Sequence, residues 1–106
     1  MAQHVDVFVE NNGIRLDPEE LKMGKNNPKQ VIQWEIRTAN WTFPDNGIVV
    51  NWDPGKQFSG SAANGNRTKF MIHNENSDFE SYKYIVTLAY GPTTICKDPT
   101  IINGKD

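Results

Sequence analysis

Cysteine is almost absent from this chain: Cys96 stands alone among 106 residues. A single thiol excludes an intramolecular disulfide and any zinc site built from several cysteines. Long apolar runs are missing as well, and none approaches the roughly 18–20 residues that a membrane helix needs. Nor is there an excess of one charge sign, since 13 acidic against 11 basic side chains leave a net charge of −2 spread along the chain. The longest basic cluster, Lys22, Lys25 and Lys29, is too thin to make the concentrated positive field that nucleic acid or an anionic membrane demands. Neither is expected as a partner. The opening, Met1 to Glu10, has no basic start and no long apolar block, so it reads as a strand rather than a signal peptide. The cytoplasm is the expected compartment; removal of an export signal would instead place the protein in the periplasm or outside the cell.

What the chain does have is alternation. Tyr82, Tyr84, Val86, Leu88 and Tyr90 fall on one side of a run whose other side is Lys83, Ile85, Thr87 and Ala89, the period of two that a strand demands. Val5, Val7 and Val9 repeat the pattern, as do Ile32, Trp34 and Ile36, then Ile48, Val50 and Trp52, then Phe70 and Ile72. A final strand runs from about Thr94 to Ile102, and Asn11-Asn-Gly13 is a hairpin signal. Six or seven strands with polar connections predict a single all-β domain over residues 1–106, an antiparallel or mixed β-sandwich. At this length it buries about 60–70% of its unfolded surface, enough for one core without staples. The final strand is expected at a sheet edge, where Pro99 would limit self-pairing; pairing there would give a homodimer.

One helix is expected near residues 18–23. Asp17 suits the cap, Pro18 the first helical position, Glu20 the capping box and Gly24 the stop. Loops are read at Lys25–Pro28, at Ala39–Gly47 and at Ser59–Asn66, the last small, polar and the most mobile of the three.

The order of elements resembles a cupredoxin-like sandwich. The resemblance rests on the alternating first strand, on Val31-Ile-Gln-Trp-Glu-Ile36 as a strand with a buried tryptophan, and on Asn46-Gly-Ile-Val-Val50. It rests also on the Tyr82-Lys-Tyr84 strand and on Pro99-Thr-Ile-Ile102 as a closing strand. The chain is also similar to small uncharacterised bacterial proteins that end in a Tyr-x-Tyr strand and an Asp-Pro-x-Ile-x-Asn tail. An immunoglobulin-like topology would generate much of the same pattern. A type 1 copper site needs two histidines, a cysteine thiolate and usually a methionine, and in that family three of these cluster before the last strand. Here Cys96 has no histidine or methionine after it, so the resemblance implies a cupredoxin-like domain without its copper site. No cofactor or metal is expected.

The reading of function is accordingly a non-catalytic binding domain that engages a protein or small ligand through loops at one end of the sandwich. The candidate contacts are Trp41, Phe43, Asp45, Asn46 and Trp52, two loop aromatics flanked by polar groups and a third beside Asp53-Pro-Gly55. The competing reading of these rings is that they cap the core. Two other readings compete. One is a carbohydrate-binding module stacking sugars on Trp41 and Phe43; the other is a metal-binding redox protein using Cys96 and His73, which requires the two to converge. Asp17, Glu19 and Glu20 are the densest carboxylate cluster, and capping accounts for two of them.

Overall fold

The computed structural model describes residues 2–24 and 29–104. Ten strands follow one another: β1 (Ala2–Glu10), β2 (Gly13–Asp17), β3 (Glu20–Met23), β4 (Gln30–Ile36), β5 (Ile48–Val50), β6 (Phe58–Ala63), β7 (Lys69–Asn74), β8 (Ser81–Tyr90), β9 (Thr93–Lys97) and β10 (Thr100–Asn103). They form two sheets, ordered β2-β1-β4-β7-β6 and β3-β10-β8-β5, with β9 also paired to β8. Each sheet mixes senses, because β1 runs parallel to β4 and β3 parallel to β10.

Alternation explains the layering. Val5, Val7, Ile32, Trp34, Phe70 and Ile72 face inward from the first sheet, and Tyr82, Tyr84, Val86, Leu88, Ile48 and Ile101 from the second. Trp34 and Tyr84 meet at the centre with ring centroids 5.4 Å apart, and Trp34 Nε1 donates to the Tyr84 hydroxyl at 3.1 Å. Each ring is thus buried with its polar atom satisfied. Val9 and Val50, expected in the core, are partly buried at its margin.

The turns follow local chemistry. Asn11 and Asn12 both take positive φ, at 53° and 62°, and close the β1–β2 hairpin as a type I′ pair between Glu10 and Gly13. Gly91, at φ 56°, precedes Pro92 in the two-residue link from Tyr90 to Thr93.

Three expectations are corrected. No helix forms at residues 18–23. Leu21 and Met23 instead point into the core from β3, whose partner is β10 (Leu21↔Ile101, Met23↔Asn103). A one-turn helix carries a nucleation cost with few bonds to repay it, whereas the strand buries two large side chains. Glu19, meanwhile, accepts from the Leu16 N–H (3.2 Å) and from Lys97 (2.7 Å). The second correction concerns Ser59–Asn66, read as a loop. Residues up to Ala63 belong to β6, with an irregular register between Ser59 and Ala62 where Gly60 takes φ 65°. The third concerns the final strand. It divides into β9 and β10 at Asp98-Pro99, and β10 lies inside its sheet between β3 and β8, with Pro99 buried. The loop expected at Lys25–Pro28 lies outside the described residues. Among the described residues, no helix is long and apolar enough to cross a membrane.

Candidate functional site

The five candidate contacts divide between two ends of the sandwich. β5 runs antiparallel to β8, so the chain before Ile48 sits at the Tyr90 end of β8 and the chain after Val50 at the Ser81 end. At about 3.3 Å per strand residue, Asn46 and Trp52 lie roughly 20 Å apart along the chain. Trp41, Phe43, Asp45 and Asn46 occupy one end and Trp52 the other.

At the Tyr90 end the loop is fastened rather than open. Thr42 bridges Ala89 through a pair of backbone bonds. Phe43 is 0% exposed and packs edge-on against Phe70, centroids 5.5 Å apart. The Phe43 N–H donates to the Arg67 carbonyl at 2.7 Å, and the Arg67 guanidinium reaches the Phe43 carbonyl and the Asp45 carboxylate at 3.3 and 2.7 Å. Phe43 therefore offers no face to a ligand. Trp41 is half-buried, its ring edge-on to Tyr90 at 5.4 Å. Asp45 and Asn46 are exposed.

The Ser81 end is built on side-chain amides. Asn74, 0% exposed, donates to Asn103 Oδ1 at 2.7 Å and accepts from Asn103 Nδ2 at 3.2 Å, so one amide pair bolts β7 of the first sheet to β10 of the second. Asn76 accepts from the Gly104 N–H (3.0 Å) and donates to the Gly24 carbonyl (2.8 Å). Gln57, also buried, accepts at Oε1 from the N–H groups of Ser77 and Asp78, at 2.8 and 2.9 Å. Asp53 accepts from the N–H groups of Gln57 and Phe58, at 2.7 and 2.9 Å. Buried polar groups so fully paired hold the surrounding turns rigidly.

On this base stands Trp52, 55% exposed, its ring tilted against Tyr82 at 5.9 Å, while Phe58 packs edge-on to the same tyrosine at 5.0 Å. Val49 and Phe79 are also exposed at 38% and 51%. Beside Trp52 a groove of about 240 Å³ is lined by Ile48, Val49, Val50, Asp53, Phe58, Ser59 and Ile72. Of these, Ile48, Val50 and Ile72 entered the sequence reading as strand residues of the core, and Asp53 as the neighbour of Trp52. Val49 and Phe58 carried no signal, because their place at the sandwich margin is set by pairing with distant strands.

Burial pushes the Tyr82 hydroxyl up to about 12, helped by the nearby Asp78, Asp53 and Glu80 carboxylates. Burial also raises Tyr84, against the stabilising donation from Trp34. A raised folded-state pKa gives stability that is complete below the ordinary tyrosine value near 10 and is lost as pH climbs through the raised one. Unfolding midpoints in urea should therefore fall between pH 10 and 12. Tyr82→Phe should flatten that fall; an unchanged alkaline slope would assign it elsewhere.

The metal reading fails on position. His73 pairs with Val31 and Ser59 and points outward from the first sheet, next to inward-facing Ile72. Cys96 pairs with Thr87 and is exposed on the outer face of the second sheet. The whole sandwich separates them, so these residues do not fit a shared copper ion. Among the described residues no group of three His, Cys, Asp or Glu side chains stands ready for a metal. On the outer face of the first sheet, Arg37 pairs with Asp6 and Glu35, and the His4 ring hydrogen-bonds Asp6 at 2.8 Å. Hydrogen bonds from Arg37 and then His4 hold the Asp6 carboxyl below its ordinary value.

Comparison of the chain with models of protein families and with curated protein sequences finds no match in either.

Proposed function

We infer that this is a non-catalytic interaction domain, cupredoxin-like in architecture and without a copper site, that engages its partner at the Trp52 end. The observation that carries the reading is Trp52 itself: a large ring, more than half exposed, on a base fixed by Tyr82, Phe58 and the amide network. Exposed aromatics on rigid supports are the side chains that anchor interfaces, since little conformational freedom is lost on binding. The parallel pairs in both sheets favour the cupredoxin-like over the immunoglobulin-like topology, whose two sheets are antiparallel. The non-catalytic part rests on where the reactive side chains stand, with His73 and Cys96 on opposite outer faces. A sugar platform on Trp41 and Phe43 is disfavoured because Phe43 has no exposed face.

Photo-crosslinking in cells that express the protein tests the reading. A benzoylphenylalanine placed at position 52 should give a discrete crosslinked species, and the same group at position 41 should not. Crosslinking from position 41 alone would move the site to the other end, and none from either would remove the interaction reading.

A further inference from the structure

Three carboxylates at the Trp52 end stand without a counter-ion. Among the described residues Asp53, Asp78 and Glu80 make no ion pair, although each is close enough to act on the Tyr82 hydroxyl. By contrast, Glu10 pairs with Arg15, Asp6 and Glu35 with Arg37, Asp45 with Arg67 and Glu19 with Lys97.

The three are not alike. Asp53 uses both oxygens on the N–H groups of Gln57 and Phe58 and so holds its own turn. Glu80 is exposed to water. Asp78 is partly buried, yet its carboxylate accepts no hydrogen bond from the described residues. Its backbone is fixed, since the N–H donates to Gln57 Oε1 at 2.9 Å and the carbonyl accepts from the Tyr82 hydroxyl at 3.2 Å. Gly55 lets the side chain settle over the turn at residues 53–57, because an added Cβ there would stand 2.8 Å from Asp78 Oδ2. A carboxylate drawn partly out of water and given no donor is an incomplete interaction.

Trp52 stands at the start of the same turn. Its ring is inclined by 31° to that of Tyr82, centroids 5.9 Å apart, and Tyr82 is fully buried. One indole face is therefore turned to Tyr82 and the other, in a ring more than half exposed, to solvent. The face of an aromatic ring attracts cations, and here it adjoins unmatched negative charge.

We propose that an arginine of a partner polypeptide is seated here, its guanidinium laid on the open face of Trp52 and donating to the Asp78 carboxylate. A planar, delocalised cation stacks and donates from its edge at the same time, which a lysine ammonium cannot do. Asp53 and Glu80 add to the negative field without needing contact. Phe79, next to Asp78 and exposed, lies against Gly104 and offers an apolar contact to the residues flanking the arginine. A second copy of the chain does not supply the group, because each of its three arginines is already paired with a carboxylate of its own chain. The proposal rests on the Trp52-end reading and names the side chain which that end recognises.

The test uses the full-length, isotope-labelled protein and the probe acetyl-Ala-Leu-Arg-Leu-Ala-amide. Titration should move the Trp52 indole N–H resonance and the Gly55 amide, with an affinity that falls as salt rises. The same peptide with citrulline, which keeps the shape and loses the charge, should bind about tenfold more weakly, and the lysine peptide several-fold more weakly. Asp78→Asn should weaken the arginine probe about tenfold, and it keeps the fold because the carboxylate bonds no described residue. Glu80→Gln, a change of field alone, should weaken it about twofold. Unchanged binding by Asp78→Asn overturns arginine recognition. Free arginine amide binding as tightly as the peptide overturns the polypeptide partner. A citrulline peptide that binds as well and moves the indole as far overturns the proposal while keeping the Trp52-end reading. No indole movement with any probe overturns it too, and the crosslink from position 52 then decides the Trp52-end reading by itself.

Discussion

Phe43→Ala is expected to lower stability by about 3–5 kcal/mol, the usual cost of emptying a buried phenylalanine site. For a domain of this size that moves the thermal midpoint down by about 12–20 °C. The loss has two parts. The ring is fully buried against Phe70, and it braces Gly47, where an added Cβ would stand 2.9 Å from Phe43 Cδ1. The surrounding loop is tied by Arg67 and cannot collapse freely into the space. Trp52→Ala, by contrast, should cost about 1 kcal/mol or less, because most of that ring already faces water. Thermal unfolding of the two variants side by side separates a core aromatic from a surface one. A Phe43→Ala midpoint within 3 °C of the parent would show that the loop, not the core, holds this ring.

Asn74→Ala should cost roughly 2–5 kcal/mol, although it removes little apolar surface. The substitution strips the Asn103 carbonyl oxygen of its donor and removes one acceptor of the Asn76 N–H, both inside the protein, and losing bonds to buried groups costs about 1–3 kcal/mol each. Asn103 keeps a weaker bond to the Asp78 carbonyl at 3.3 Å. The signature is in the double variant. Asn74→Ala with Asn103→Ala should cost clearly less than the two single losses summed, because the second substitution removes a group that the first had already orphaned. Denaturant midpoints with unchanged slopes measure the cycle, and simple additivity would mean that the amide pair carries no coupling.

The strands that alternate against a one-sided core were legible from the residues alone. Val5 and Val7, Ile32 and Trp34, Phe70 and Ile72, and Tyr84, Val86 and Leu88 all face inward as their spacing requires. What the spacing could not carry was pairing at a distance. Glu20-Leu-Lys-Met23 suits a helical turn and a strand equally, and its choice is made by β10, some eighty residues later. Ser59-Gly-Ser-Ala-Ala63 has no strand-forming side chain, and its ladder with β7 makes it one. The candidate site was half visible. Trp52, read both as a strand residue on the face of Ile48 and Val50 and as a candidate contact, is more than half exposed, whereas Phe43, followed by proline in a turn-rich stretch, had every mark of a loop aromatic and closes the core instead. The amides of Asn74, Asn76, Asn103 and Gln57 gave no local signal, since three separate turns must come together before any of them has a partner.

The passage of Gly13–Met23 from one sheet to the other bears on how the molecule comes apart. The first half of this run is the outer rung of one ladder and the second half the outer rung of the other, with only Pro18 and Glu19 between. Detaching either sheet from the core pulls on an edge of its neighbour through those two residues. The layers are therefore mechanically in series, and partial opening of one is transmitted to the other before it can persist alone. This backbone link couples the two layers independently of how well the facing side chains interlock.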